Sequence, residues 1–441
     1  MRTAKDNYWL DTPYEPNLPL RGEQEADVAI IGGGFTGIAA AYFIKKRFPG
    51  KRVIVLESEY VGFGSSGRNS GGVSGIMGHN YLNLKKKFGI EKTIQFQRII
   101  TQCVPLVEEL IEEHSIDCEY EKAGRQIFAE NENQMKRIEQ EKVAADEVGA
   151  NVVWLDRDAA RSHFGARKPL AAVRYPDEGI MNPVKFVRGM KKAAESLGAE
   201  VYEHTRCGNC EYGPTSTLYT QLGQVRAADI VVATNAYSNP LGLLRHKMLP
   251  FHIYQIATEP LTPGQLGELH LPGRENTFIA KNLYWAVRLT KDNRLMVIEC
   301  DVRYFYDVER DYSHRPREYK NQYDLLIENF PFLRGIKVTH QWGGRIGITM
   351  DFLPRVGRTG SHHNIYYALG YNGCGLAPGQ LAGKVFAAMM AGEQSELTNN
   401  ILINKSTLGV PFASMAYVGA KGLSYYYKGV DRRLDAGKKY A

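Results

Sequence analysis

The residues with the clearest chemical meaning are three glycines and one glutamate near the start of the chain. Gly32, Gly34 and Gly37 have the G-x-G-x-x-G spacing, and Glu57 follows them. In a dinucleotide site the first glycine permits a tight turn, the second lets the backbone approach a pyrophosphate, and the third lets helix and strand pack closely. An acidic residue about 20 positions further on accepts a hydrogen bond from the ribose. The spacing therefore predicts a dinucleotide-binding site.

The residues around this motif have the pattern of a strand, a helix and a second strand. The apolar run Val28–Ile31 enters the glycine turn, Ile38–Phe48 is helix-forming, and Val53–Leu56 is a second apolar strand that ends at Glu57. The N-terminus of such a helix presents unpaired N–H groups and a positive dipole end to phosphates. Because isolated glycine motifs are common, this complete setting is what makes the prediction specific.

Two further glycine-rich segments indicate where the chain approaches the ligand again. The loop Gly62–Gly75 repeats the spacing, but it follows Glu57 too closely for a new strand, so we expect a loop that lies along the ligand. Asp229–Thr234 is predicted to be a buried parallel strand with a polar exit at the ligand-binding edge. Near the end of the chain, the strand Asn364–Leu369 leads through the turn Gly370–Gly375 into another helix.

Composition excludes several classes of protein. The 441 residues are 44% hydrophobic and 23% charged, which is typical of a soluble chain of more than one domain. The net charge is +7, but the basic residues are dispersed and no nucleic-acid-binding signature accompanies them. The N-terminus lacks the apolar region of a secretory signal, and no segment is apolar enough to span a membrane. We expect a cytoplasmic protein that binds no nucleic acid.

The cysteines predict neither a disulfide framework nor a metal site. Six cysteines are few for a chain of this length. Cys207 and Cys210 form a C-x-x-C motif with His204 nearby, but no second pair of ligands follows. No thioredoxin-like helix follows either, which disfavours a redox motif.

The order of elements predicts an α/β protein in which one domain interrupts another. Segments of residues 250–345 are rich in aromatic residues and resemble strands of a mostly antiparallel sheet. We expect a discontinuous Rossmann-like nucleotide-binding domain with an inserted α+β substrate domain built on that sheet. The predicted parts are 1–90, 151–240 and 346–395 for nucleotide binding, 91–150 for substrate-domain helices, 241–345 for the substrate-domain sheet, and 396–441 for a C-terminal packing segment.

Motifs spread over about residues 8–395 resemble those of FAD-dependent amine and amino-acid oxidoreductases of the D-amino-acid oxidase type. Within that family the chain most resembles the gamma-glutamylputrescine oxidoreductase-like proteins. The motifs are ADVAIIGGGFTG, VLE followed by VGFGSSGRNSGG, GIMNPVKFVRGMKKAAESLGAEVYE, DIVVATNAYS with IATEPL, DFLPRVGR, and LGYNGCGLAPGQLAGK. The resemblance implies one FAD, a small-molecule amine substrate, and oxygen or another electron acceptor.

The resemblance also implies which residues contact the cofactor. They are Gly32, Gly34, Phe35, Thr36, Gly37, Glu57, Ser65, Arg68, Asn69, Ser70, Gly71, Gly72, Cys207, Thr234, Asn235, Gly370, Gly373, Gly375 and Leu376. Some relatives attach FAD to a cysteine just before the DFLPRVGR segment. Since Arg345–Met350 contains no cysteine, non-covalent FAD is predicted. The chain departs from its relatives at Cys374, where they often carry histidine, and at Val297–Glu299, where many carry two glycines.

The chemistry implied is transfer of a hydride from the amine carbon to flavin N5, followed by hydrolysis of the imine. A dry aromatic pocket suits this reaction, and the candidate walls are Tyr254, Tyr284, Trp285 and Trp342, for each of which core packing is the alternative. Arg345 is a candidate for holding a substrate carboxylate or for bracing the flavin.

We expect oxidation of a primary or secondary aliphatic amine or a γ-amino compound. Three alternatives remain: an amino-acid or sarcosine/glycine-type oxidase, an NAD(P)-dependent dehydrogenase, and a non-catalytic flavin-binding protein.

Overall fold

The computed structural model describes residues 6–242, 247–307, 310, 312–406, 409–410 and 412–437. The outer ends of the two predicted terminal segments, residues 1–5 and 438–441, lie outside this range. The strands are β1 (Gly22–Ile31), β2 (Val53–Leu56), β3 (Gly72–Val73), β4 (Arg125–Ala129), β5 (Val153–Leu155), β6 (Ala171–Tyr175), β7 (Gly179–Ile180), β8 (Glu200–Tyr202), β9 (Asn209–Glu211), β10 (Ser216–Tyr219), β11 (Gly223–Val232), β12 (Met248–Pro260), β13 (Asn276–Ile279), β14 (Trp285–Leu289), β15 (Arg294–Tyr304), β16 (Val338–Thr349), β17 (Arg355–Thr359) and β18 (Ile365–Leu369). The α-helices are α1 (Phe35–Arg47), α2 (Ser65–Arg68), α3 (Tyr81–Phe88), α4 (Ile90–Glu113), α5 (Glu132–Asp146), α6 (Arg157–His163), α7 (Pro183–Ser196), α8 (Pro263–Leu269), α9 (Pro316–Asn329), α10 (Leu376–Met390) and α11 (Ala413–Asp435).

The first sheet carries the predicted dinucleotide-binding unit. Its order is β17-β18-β11-β1-β2-β8, with β10 and β9 added beside β11. Strands β18, β11, β1, β2 and β8 are parallel, so their carboxyl ends lie at one edge. Val28–Ile31 and β2 are buried throughout, as expected for strands covered on both faces. Strands are present at all four predicted places, 28–31, 53–56, 229–234 and 364–369, but β1 and β11 each begin six residues earlier than predicted, at Gly22 and Gly223.

Small residues let the helices pack closely on this sheet. Helices α1 and α10 approach each other so tightly that a Cβ added to Gly383 would collide with the backbone of Ala39. Helix α7 begins after Asn182, whose side chain accepts a hydrogen bond from the Lys185 N–H, and Pro183 occupies its first turn.

The second sheet is mostly antiparallel, as predicted, and has the order β16-β12-β15-β14-β13-β4-β6-β5. Of these pairs, β4 with β13 is parallel. Strands β5 and β6 belong to this sheet, although residues 151–240 were predicted to serve nucleotide binding. The reason is that β6 pairs antiparallel with both β4 and β5, which extends the substrate-side sheet instead of the parallel one.

Helix α11 docks on the second sheet through its C-terminal half. Asp301 of β15 accepts a hydrogen bond from Ser424 and forms an ion pair with Lys428 at 2.9 Å. Asp431 accepts from the backbone N–H groups of Asn282 and Leu283 at 3.0 and 2.8 Å. The segment predicted only to pack is thus fixed to the sheet by directed polar contacts.

A buried ion pair ties the N-terminal arm to the first sheet. The carboxylate of Glu203, just after β8, lies 2.8 Å from the Lys191 ammonium. It also accepts hydrogen bonds from the Tyr14 hydroxyl and from the N–H groups of Asn17 and Val61. Burial alone would raise the pKa of Glu203, but these partners hold it below its usual value. One carboxylate therefore fixes three separate segments of the chain.

We predict that Glu203→Gln lowers the free energy of unfolding by about 3 kcal/mol or more near neutral pH, because it leaves the buried Lys191 ammonium without its counter-charge. The folded-state pKa of Glu203 is depressed, so its contribution is full above the unfolded value of about 4.3 and is lost as pH falls through the folded value. Urea unfolding across this pH range measures both effects. Glu113→Gln is the control, since its pair with Lys46 is exposed and should contribute under about 1 kcal/mol.

Candidate functional site

A single large cavity of about 1250 Å³ runs from the carboxyl edge of the parallel sheet to one face of the antiparallel sheet. Ordinary small-molecule pockets have about 300–1,000 Å³. The cavity is therefore large enough for an extended cofactor together with a second small molecule.

The first glycine turn has the geometry that its sequence predicts. Gly32 has φ of +106°, a conformation that side chains disfavour. A Cβ on Gly37 would overlap the carbonyl oxygen of Gly32, so only glycine lets α1 begin this close to β1. A Cβ on Gly34 would crowd the hydroxyl of Ser66. The backbone is thereby left bare at the N-terminus of α1, where phosphates bind.

Glu57 closes this turn from the neighbouring strand. Its carboxylate accepts hydrogen bonds from the N–H groups of Gly33 at 2.6 Å and Glu59 at 3.0 Å. Burial raises the pKa of Glu57, and those two N–H groups oppose the shift. Since Glu57 lines the cavity, its oxygens lie where a ribose can donate to them.

Two hydrogen bonds join the distant glycine-rich turns at the edge of the sheet. The hydroxyl groups of Thr36 and Tyr371 lie 2.8 Å apart. The Asn235 side chain accepts from the N–H of Gly370 at 2.9 Å. Three segments that are far apart in sequence therefore meet at one place, as the discontinuous domain requires.

The loop around α2 lies along the middle of the cavity and is braced from several sides. The Arg68 guanidinium donates to the carbonyl oxygens of Phe63 and Gly343, both at 2.9 Å. Asn69 donates to the Ser65 and Ser66 carbonyl oxygens, and the Ser66 hydroxyl accepts from the Phe35 N–H. The loop is thus linked both to α1 and to β16, and so positions both ends of the cavity.

Most of the residues predicted to contact the cofactor line this cavity. They are Gly32, Gly34, Phe35, Thr36, Glu57, Ser65, Arg68, Asn69, Ser70, Gly72, Cys207, Thr234, Asn235, Gly373, Gly375 and Leu376. Gly37, Gly71 and Gly370 do not line it. Gly71 and Gly370 have positive φ, and all three shape the turns that carry the lining residues.

Three of the five predicted substrate-side residues, Tyr254, Trp285 and Trp342, do not line the cavity. Tyr254 packs against Tyr319, and Trp285 packs against Phe128 and Phe330, on the face opposite the cavity. Both pair in register with Glu299, whereas their neighbours Gln255 and Ala286 pair with Ile298 on the cavity face.

The third residue, Trp342, is fully buried beside Trp9, and its ring N–H donates to the Arg68 carbonyl oxygen. The prediction that these three rings form the wall of the pocket is therefore wrong. The side chains of Tyr254 and Trp285 lie on the face of the sheet opposite the cavity, and the N-terminal arm covers Trp342. Glu299 shares the outer face, so it cannot contact a molecule in the cavity.

The fourth predicted residue, Arg345, does line the cavity. Its guanidinium donates to the Arg310 carbonyl oxygen at 2.8 Å and lies over the Tyr237 ring at 5.2 Å. Its own carbonyl oxygen accepts from the Ser65 hydroxyl. Arg345 is therefore engaged with the protein on both sides.

Sequence reasoning missed two elements of the cavity wall. Helix α5 contributes Arg137, Ile138 and Glu141, and α11 contributes Met415, Ala416, Gly419, Ala420, Leu423, Ser424 and Tyr427. The sequence of each segment predicts that it packs against the protein. It does not indicate that the surface it packs against is the wall of a cavity.

Two buried amide oxygens on the cavity side have no hydrogen-bond partner among the described residues. They are Oε1 of Gln255 and Oδ1 of Asn276, whose residues line the cavity. A buried acceptor without a partner costs about 1–3 kcal/mol. Both oxygens are inaccessible to solvent, so a molecule in the cavity could reach them only if the side chains turned.

The C-x-x-C motif lies at the opposite end of the cavity. The sulfur atoms of Cys207 and Cys210 are 3.4 Å apart, and the hydrogen bond from Cys207 lowers the pKa of Cys210 to about 7. Within the described ranges, no cluster of three or more histidine, cysteine or acidic side chains is arranged to hold a metal ion. Nor does the same part of the chain contain a helix with the length and apolar character needed to cross a bilayer.

Comparison with known proteins identifies the architecture. The family described as FAD dependent oxidoreductase (DAO) matches residues 27–389. Gamma-glutamylputrescine oxidoreductase of Escherichia coli is 28% identical over 428 residues, which cover 94% of this chain and 95% of that protein. A probable oxidoreductase, OrdL, of Haemophilus influenzae is 29% identical over 395 residues, 86% of each chain. The crystal structure of glycine oxidase from Geobacillus kaustophilus superposes with a TM-score of 0.70 at 21% identity, covering 84% of this chain and 96% of that one, which supports the fold.

The cavity fits FAD on its own geometry. A bare glycine turn at a helix N-terminus suits the pyrophosphate, Glu57 suits the adenosine ribose, and the rest of the cavity, which extends to the antiparallel sheet, leaves room for a ring system. The residues present are therefore those that an extended FAD needs.

We predict that Glu57→Gln weakens FAD binding roughly 10- to 100-fold, because it replaces a charged acceptor by a neutral amide beside the ribose. Titration of the apoprotein with FAD measures the dissociation constant. Glu200→Gln serves as control, since Glu200 lies on the adjacent strand and pairs with Arg52 at the surface. Equal affinities for wild type and Glu57→Gln would show that Glu57 does not contact the cofactor.

Proposed function

The chain belongs to the DAO family of FAD-dependent oxidoreductases, and from that premise we propose that it oxidises a primary or secondary aliphatic amine or γ-amino compound. The family assignment rules out the NAD(P)-dependent dehydrogenase considered above and makes the protein an FAD-dependent enzyme that acts on amines or amino acids. The observation that carries the narrower proposal is the mostly apolar wall where the cavity meets the antiparallel sheet, with the aromatic side chains of Phe278 and Tyr284 among its residues.

FAD, when bound, supplies the acceptor for the hydride that leaves the amine carbon. The residues of the chain have to bind the amine, orient it and exclude water. The amine has to react in its neutral form, because it needs its nitrogen lone pair free for the reaction. Ile127, Ile253 and Ile298 provide apolar wall, which excludes water from this part of the cavity.

Aromatic faces on the same side favour capture of the amine before it loses its proton. Phe278 and Tyr284 line the cavity with their rings edge to face, 5.2 Å apart. A cation near such faces is stabilised by about 0.5–2 kcal/mol. Of the aromatic walls predicted from sequence, Tyr284 is the one that has this position.

The relative from Escherichia coli supports a primary aliphatic amine, since its name states that it acts on gamma-glutamylputrescine, a derivative of a diamine. Its match spans nearly the whole of both chains, which includes the substrate-side sheet. We propose oxygen or another carrier as electron acceptor, and a cytoplasmic location.

The alternative is an amino-acid or sarcosine/glycine-type oxidase. It requires a clamp for a carboxylate next to the reacting carbon, and Arg345 is the residue predicted for that purpose. The contacts of Arg345 with the Arg310 carbonyl oxygen and the Tyr237 ring compete with such a role. Oxidation of an amine without an α-carboxylate therefore agrees better with the residues that line the cavity than oxidation of an amino acid does.

The direct test is anaerobic bleaching of the flavin by a panel of polyamines, γ-amino acids, α-amino acids and aminophosphonates. We expect polyamine derivatives or γ-amino compounds to bleach it, because the cavity wall is mostly apolar and Arg345 is engaged with the protein instead of being left to bind an α-carboxylate. Bleaching by α-amino acids alone would favour the alternative. A flavin that none of these compounds reduces would indicate a protein that binds FAD without oxidising amines.

We predict that FAD is held without a covalent bond, since no cysteine lies in Arg345–Met350 and desolvation raises the pKa of the half-buried Cys374. A thiol with a raised pKa is a poor nucleophile at neutral pH. Acid precipitation should therefore leave a colourless pellet and a yellow supernatant. A yellow pellet that survives washing in denaturant would contradict this.

A further inference from the structure

Four cationic side chains line the cavity where it meets the antiparallel sheet, α5 and α11: Arg125, Arg137, Lys281 and Arg345. Three of them are engaged. Arg125 forms a two-point ion pair with Glu178 at 2.8 and 3.0 Å, and Lys281 lies 2.8 Å from Asp435. Arg345 donates to a carbonyl oxygen, as described above.

Arg137 differs from the other three. Its guanidinium donates to Oδ1 of Asn282 at 2.9 Å. Asp431 and Glu141 are the carboxylates that act on its charge, and among the described residues no carboxylate forms an ion pair with it. It is only partly exposed, and burial lowers its pKa, though not enough to discharge a guanidinium at neutral pH. A partly desolvated cation that faces a cavity without a counter-charge is costly unless a ligand supplies one.

The acidic groups nearest to Arg137 are already committed to other partners. The Glu141 carboxylate accepts from the N–H groups of Tyr81 and Leu82 and from the Tyr175 hydroxyl. The Asp431 carboxylate accepts from the backbone of Asn282 and Leu283. Among the described residues, neither of these carboxylates forms an ion pair with Arg137.

Asn282 fixes the direction of the guanidinium. Its side chain accepts from Arg137 through Oδ1 and donates to Asp431 through Nδ2 at 2.7 Å. Because Asp431 belongs to α11 and Arg137 to α5, this chain of hydrogen bonds holds the cation between the two helices that complete the cavity wall. Asn282 is a positioning residue, and the remaining N–H groups of Arg137 are left to bind a ligand.

We propose that Arg137 binds a carboxylate at the far end of the amine substrate, so that the enzyme selects amines with a distal acidic group. This proposal rests on the proposed function and names the substrate class for the same cavity. A guanidinium suits the task because its planar N–H groups bind both oxygens of a carboxylate. The site differs from an α-carboxylate clamp, since it lies on α5 and is separate from Arg345.

The test compares two amines of equal length, 5-aminopentanoate and pentylamine, with 4- and 6-carbon pairs included to cover the span. We expect the wild-type enzyme to have a kcat/KM at least tenfold higher for the carboxylate member of the best pair. Arg137→Gln should reduce that ratio roughly 10- to 100-fold, mostly through KM, because a charged hydrogen-bonding partner is lost. Arg137→Lys should retain part of the preference, since it keeps the charge without the planar fork.

Lys281→Gln is the matched control. It also removes a cation that lines the cavity and contacts α11, but one that already has a counter-charge, so it should leave the preference intact. If Arg137→Gln and Lys281→Gln lose the preference equally, Arg137 acts only by holding α11. A wild-type enzyme without any preference for the carboxylate member would also overturn the proposal.

A second measurement separates this proposal from the proposed function. Glutarate, which has no amine to oxidise, should raise the thermal midpoint of the FAD-bound protein and shift its flavin spectrum, and both effects should disappear in Arg137→Gln. If no amine bleaches the flavin but glutarate still binds through Arg137, the proposed function fails and the anion site stands. If amines bleach the flavin and glutarate binds equally to both proteins, the anion site fails and the function stands.

Discussion

The tight turn between β1 and α1 is the constraint on which the rest of the structure depends. The carbonyl oxygen of Gly32 occupies the space that any side chain at Gly37 would need. That contact brings the N-terminus of α1 to the edge of the sheet, where the Phe35 N–H donates to the Ser66 hydroxyl and the Thr36 hydroxyl reaches Tyr371 in the last glycine-rich turn. The cofactor site is thus assembled from distant segments by backbone approach, with few charged side chains.

The other end of the cavity is governed by the register of the antiparallel sheet. In β12, β14 and β15, one set of residues faces the cavity and the alternate set builds a second core with α9 and the chain that follows it. A slip of one residue would exchange the two sets. The two ends of the cavity therefore depend on different physical features. The cofactor end depends on close backbone packing at the first sheet, and the substrate end depends on which alternate side chains of the second sheet face the cavity.

These two features explain how much could be predicted from the sequence. The glycine turn, Glu57 and the strands of the parallel sheet have local signals, since each needs a specific residue type at a fixed spacing, and the structure confirms them. Tyr254 and Trp285 have no such signal, because an aromatic residue in a strand packs equally well on either face. Trp342 has the parity of the cavity face but is covered by Trp9, a contact between residues far apart in sequence. In the sequence, Arg137 is one of several charged residues on a helix. Its position at the cavity is evident only once α11 is docked against the second sheet.

The central claim is that one FAD extends through the cavity from Glu57 to the turn before α10, with the amine beneath the antiparallel sheet. A crystal structure of the purified protein with its cofactor tests this most directly. The account predicts adenosine beside Glu57, pyrophosphate at the N-terminus of α1, and the flavin ring between the loop around α2 and Leu376, facing Gln255 and Asn276. A flavin ring at the Cys207 end of the cavity, or one walled off from Gln255 and Asn276, would contradict it.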